Sequence, residues 1–186
     1  MDKKSTILNT VLKLVNKEGF YHLSMKNVAK EAGIAAGTTY LYFNSKEELI
    51  NELYKQIAQE YRDSIINSYK EENSIEENFF EMAGKALSYY VENPDRFSFI
   101  QQYTYSPFIF KETQEENFAI LEPLQKFLVQ AKKEKKVKDL PDLMLVSLVS
   151  GPINSMMKMF LAGKTDLTKK STQKKLLEAC WQSITI

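Results

Sequence analysis

The side chains best suited to do chemistry in this chain are Thr38, Tyr40, Tyr42 and Lys46, four hydrogen-bond donors within nine residues. A hydroxyl, two phenols and an ammonium match the phosphate oxygens of a nucleic acid, contacts that fix register without reading sequence. Gly37 lacks a side chain, so backbone there can approach a base edge or a phosphate closely. Lys46 falls at the first position of a helix announced by Ser45, where the helix terminus already favours an anion. Plainer roles stand beside these. Tyr40 and Tyr42 lie about 200° apart on a helix, so Tyr40 has packing as its alternative. Lys46 has simple solvation as its own, and Phe43 is assigned to the core.

Catalytic chemistry finds less support. One histidine, His22, and one cysteine, Cys180, leave no disulfide framework and no Cys/His zinc site. No Glu-x-x-His pair and no Gly-rich phosphate loop occurs. No enzyme activity, metal or cofactor is therefore expected. His22 reads as a turn or cap residue and Cys180 as a packed thiol.

The elements that must position these groups are helices. Ile7, Leu8, Val11, Leu12, Leu14 and Val15 recur at amphipathic-helix spacing, and Gly19 stops the run. Ser45/Glu48, Ser74/Glu77 and Thr113/Glu116 read as capping boxes, and Asn93-Pro94-Asp95 as a further helix start. The pattern predicts about nine helices, over 4–18, 25–31, 35–41, 46–71, 75–92, 94–105, 114–135, 140–162 and 167–183. The segment 108–110 has no partner strand and reads as a loop. The expected fold is all-α, with one domain over 1–46 and a second over 47–186. Three short helices bury little core alone, so the fourth should pack against both parts.

Residues 24–46, SMKNVAKEAGIAAGTTYLYFNSK, read as helix, turn, helix and a capped helix start. Gly33 supplies the turn and Ala29 is small where two helices would cross. These are the demands of a helix-turn-helix. VAKEAGI followed by GTTYLYFNSKEEL resembles the signature of the tetracycline-repressor (TetR) family of bacterial regulators. The resemblance covers residues 5–52 and implies an N-terminal three-helix DNA-binding domain and a C-terminal helical bundle for ligand binding and dimerisation. It implies backbone contacts from Thr38, Tyr40, Tyr42 and Lys46, base-facing positions at Ala36 and Gly37, and phosphate or base contacts from Met25 and Lys26. Three residues depart from the family's pattern. Ala35 stands where a serine N-cap is common, a change that costs about 1 kcal/mol. Ala36 can offer only apolar readout, for example against a thymine methyl. Thr39 replaces a bulkier apolar residue.

Net charge is +1, distributed unevenly: residues 1–46 carry seven lysines against three acids, and the rest is weakly acidic. A basic head on an acidic body fits a local phosphate footprint. The run 132–138 reads as a solvated helix end. No apolar run approaches the ~18–20 residues of a membrane span. The N-terminus lacks the apolar core of a secretory signal. A cytoplasmic protein is expected.

Residues 74–130 are rich in aromatics and methionine, read either as core or as the wall of the ligand cavity that the family has between its fifth to eighth helices. Phe79, Met82, Phe99, Tyr103 and Met156 are the candidate ligand-binding residues. The last two helices carry more apolar surface than one bundle face needs, which suggests burial against a second copy. Leu148, Pro152, Met159, Leu177 and Trp181 are the candidate dimer-interface residues, and Pro152 should kink or split its helix. The combined expectation is a homodimeric repressor that binds double-stranded operator DNA and is released by a small-molecule effector, with no membrane partner. An enzyme on a helical bundle and a helical interaction module without DNA binding are the alternatives.

Overall fold

The computed structural model describes residues 2–118 and 122–186, which form ten α-helices and no strand. Its contacts group the chain into two compact units, residues 1–60 with 94–119, and residues 61–93 with 120–186. The unit that carries the helix-turn-helix thus extends well past residue 46.

The first unit starts with α1 (Lys3–Glu18), whose stripe from Ile7 to Val15 is buried as the spacing requires. Gly19 adopts φ +80 and ends it, donating its N–H to Val15 O at 3.0 Å. A short 3₁₀ turn (Phe20–His22) leads to α2 (Met25–Glu31), capped by Ser24 Oγ accepting the Asn27 N–H at 3.1 Å. Gly33, at φ +67, turns the chain into α3 (Ala36–Tyr42), which has no side-chain cap at Ala35. Next comes α4 (Lys46–Ile65), and the unit is completed by α6 (Pro94–Tyr103) and α7 (Lys111–Phe118). Its core joins Ile7, Val11, Val28, Phe43, Leu49 and Phe99, among others. Three short helices acquire a core because α4 and α6 supply apolar surface that they lack.

Asn51 is buried in this unit. Its amide donates to Phe108 O at 2.9 Å and accepts from the Phe110 N–H at 2.8 Å, so one side chain holds the 108–110 loop. Phe110 O then accepts from Gln114 N–H, which starts α7 at Lys111. The expected Thr113/Glu116 box is therefore not a helix start; Thr113 is buried inside α7. The predicted helix over 114–135 corresponds to α7 and α8, and residues 119–121 within it lie outside the described residues.

The second unit contains the end of α4, then α5 (Ile75–Glu92), α8 (Glu122–Lys133), α9 (Asp142–Leu161) and α10 (Lys170–Ile184). α4 ends six residues before the predicted position. Ser68 caps it, its N–H and hydroxyl both donating to Ile65 O. Asn78 then grips Lys70, accepting from its N–H at 2.9 Å and donating to its carbonyl at 2.8 Å. At α5 the Ser74/Glu77 box forms in full, and its hydrogen bonds lower the Glu77 carboxyl pKa. At the other end, Asn93 donates its side-chain amide back to Tyr89 O, terminating α5 rather than capping α6.

Pro152 does not split its helix, since α9 runs through it. The missing N–H would have met Leu148 O. The Ser183 hydroxyl, which donates to Cys180 O at 2.7 Å, lies 3.5 Å from that carbonyl. By length and composition α9 is apolar enough to cross a membrane, although no single unbroken apolar run signals it. Little of it is covered by its own chain: Leu143, Met144 and Met159 are exposed.

Candidate functional site

α3 presents a bare outer side. Thr39 is its only fully buried residue and anchors it to the first unit, although the Thr39 hydroxyl finds no hydrogen-bond partner among the described residues. Ala36, Gly37, Tyr40 and Leu41 are exposed, Tyr40 at 57% and Leu41 at 83%. At i, i+4 spacing these four form one face. Leu41 is missing from the sequence-based candidates, yet its helical distance of four from Gly37 was available to place it there. Tyr42, 39% exposed, flanks this face, and Thr38 is half-buried.

Lys46 opens α4 as expected. Ser45 Oγ accepts the Glu48 N–H at 3.0 Å, and Glu48 Oε2 accepts from Asn44 N–H at 2.7 Å, one residue beyond the expected box partner. The Lys46 ammonium sits 4.5 Å from the centroid of the Phe20 ring, which stacks at 3.9 Å on Phe108. A cation over an aromatic face is attracted to it and loses some of its freedom. At the start of α2, Lys26 is exposed. Met25 is not: at 7% exposure it belongs to the core, and a side chain packed there is unavailable to a duplex. His22 donates from Nδ1 to Glu18 O at 2.8 Å, the turn-and-cap role expected of it.

The candidate ligand-binding residues separate. Phe79 and Met82 line a cavity of about 140 Å³ inside the second unit, together with Tyr61 and Ile65 from α4 and Ile153 and Asn154 from α9. Phe99 and Tyr103 do not line it; they are buried in the first unit's core, with ring centroids 5.0 Å apart. Composition could not reveal that α6 serves the helix-turn-helix. Met156 is also absent from the wall, because the residues of α9 facing the cavity are Val146, Val149, Ser150, Ile153 and Asn154. Tyr61 stacks on Tyr90 at 5.1 Å, and burial pushes its phenol up to about 12. No charged side chain appears among the described wall residues.

Of the candidate interface residues, Pro152 and Met159 are exposed and Leu148 is half-buried. Trp181 is half-buried, its ring 4.9 Å from that of Phe79. Leu177 is already covered by its own chain against α5 and is not available to a partner. Cys180 is buried, and that burial raises its thiol pKa.

Comparison with known proteins places this geometry. Residues 7–53 match the family described as bacterial regulatory proteins, tetR family, and residues 54–186 match the tetracyclin repressor-like C-terminal domain. The chain is similar to an HTH-type transcriptional regulator of Haemophilus influenzae, 31% identical over 57% of this chain and 57% of that one. It is also similar to the fatty acid metabolism regulator protein of Bacillus subtilis, 27% identical over 46% of this chain and 44% of that one. The match thus spans about half the length of each. Over the whole of both chains, the fold agrees with a TetR-family transcription regulator from Shewanella sp. PV-4, with TM-score 0.86 and 24% identity.

Proposed function

Since this chain belongs to the TetR family of DNA-binding transcriptional regulators, we propose that it is a homodimeric, cytoplasmic repressor that leaves a near-palindromic operator when a small, largely apolar molecule enters its second unit. The observation that carries this reading is the bare side of α3 with Lys46 beside it. Thr38, Tyr40, Tyr42, Lys46 and Lys26 hold phosphates in this reading. Ala36 and Gly37, joined by Leu41, face base edges, where an apolar surface distinguishes a thymine methyl. Two copies place their α3 helices in major grooves about one helical turn, or a multiple, apart.

Dimerisation uses the exposed apolar side of α9, including Leu143, Met144, Pro152 and Met159, with Leu148 and Trp181 at its border. Covering such a patch with a second copy removes it from water. The switch acts through α4, one continuous helix with Lys46 at its start and Tyr61 and Ile65 in the cavity wall. An effector that prefers one placement of Tyr61 and Ile65 shifts the other end of that helix. Equal affinity for both placements would shift nothing.

The test is a mobility-shift assay with DNA from upstream of the chain's own locus. Specific binding at moderate salt is expected, and absence of binding even at low salt would end this reading. Lys46→Ala should weaken binding to all sequences alike and reduce the salt slope by about 0.9.

A further inference from the structure

The wall of the cavity narrows the chemistry of the effector, an inference that rests on the reading of that cavity as the effector site. Its volume of about 140 Å³ is close to that of an engineered cavity of roughly 150 Å³ that takes up benzene. One six-membered ring fills such a space. The described wall offers no Lys, Arg, His, Asp or Glu. A carboxylate or ammonium moving in would give up its hydration and meet no counter-charge, a heavy penalty in an apolar enclosure. Tyr61 does not relieve it. With its pKa pushed up to about 12, the phenol stays neutral across the physiological range.

The wall is nevertheless not wholly apolar. Ser150 and Asn154 both face the cavity from α9, one turn apart, and neither side chain makes a hydrogen bond with any described residue. Polar groups in an apolar enclosure are stabilised when paired, and they penalise a guest that leaves them bare. A hydroxyl and an amide together supply donors and acceptors without charge.

We infer that the cavity binds an uncharged molecule about the size of one six-membered ring, bearing one neutral hydrogen-bonding group that pairs with Ser150 and Asn154, and that it rejects carboxylates and ammonium ions of the same shape.

The full-length protein is titrated by calorimetry with benzamide, benzyl alcohol, benzoate and benzylamine at pH 7, with benzene as the purely apolar probe. Benzamide and benzyl alcohol are expected to bind, with benzoate and benzylammonium about 100-fold weaker or worse. Benzoate affinity should rise as pH falls toward the acid's own pKa, because only the neutral form enters. Asn154→Leu should weaken benzamide about 10-fold while leaving benzene unchanged. The inference is overturned if either ion binds as well as benzamide, if no neutral ring probe binds at millimolar concentration, or if Asn154→Leu weakens benzene and benzamide equally. A mobility-shift assay on the same probes separates this from the premise. Neutral binding without operator release would sink the sensing reading and leave the cavity's selectivity standing. An ion that binds and releases DNA would do the reverse.

Discussion

The two units fill their interiors differently. At the centre of the first, Phe99, Leu53 and Tyr54 are fully covered, and the Tyr54 hydroxyl donates to Thr104 Oγ1 at 3.1 Å. In the second, Phe79 and Met82 border an unfilled volume of about 140 Å³. Close packing makes an interior stiff, and a void forfeits part of that. A surface that reads a duplex needs fixed side-chain positions, whereas a sensing interior needs room. The same chain meets both demands by placing its best packing around α1, α4 and α6 and its worst among α5, α8 and α9.

Large-to-small substitutions should break this contrast most sharply if it is wrong. Phe99→Ala is expected to cost about 4 kcal/mol in urea unfolding, and Phe79→Ala at least ~1 kcal/mol less, because space beside it is already empty. Equal losses would mean that the two interiors are packed alike. The open unit should also be the alkali-sensitive one. Tyr61 has a folded pKa of about 12 against an ordinary 10, so the native state holds its proton more tightly. Its contribution is complete below pH 10 and disappears as pH rises toward 12, about 2 kcal/mol in all. Tyr61→Phe should flatten that fall in alkaline unfolding curves; an unchanged fall would place the responsible group elsewhere.

Adding volume probes the same difference with a smaller effect. Ala29 is buried in α2 and Ala83 borders the cavity from α5. Ala→Val carries the same helix-propensity cost at both, so Ala29→Val should be worse by about 1–2 kcal/mol in thermal unfolding. A reversed order would show that the cavity wall cannot accept a larger side chain. The smallest effect concerns α3. Thr39→Val removes a buried hydroxyl that has no partner, and a gain of about 1 kcal/mol is expected in the same measurement. A loss would show that the hydroxyl is satisfied by water.

Much of this was legible in the residues, for identifiable reasons. The α1 stripe, Gly19, Gly33 and the Ser74/Glu77 box are local signals, and local geometry follows them. Lys46 was legible as a helix start, but its place over Phe20 was not, since that depends on the packing of distant segments. The same limit explains Met25. The first turn of a helix can point a side chain inward or outward, and only the core decides. Nothing in residues 66–72 breaks a helix, so the early end of α4 depends on Asn78, eight residues beyond Lys70. Phe99 and Tyr103 share their composition with the cavity wall; their assignment to the other unit is a matter of topology.

The Asn78 grip on Lys70 has a mechanical consequence. Because both main-chain groups of Lys70 are engaged by a side chain from α5, the reversal after Ile65 behaves as a stiff elbow. A push delivered at that point cannot be absorbed by letting one more turn wind or unwind, so it has to travel along the rod toward Lys46.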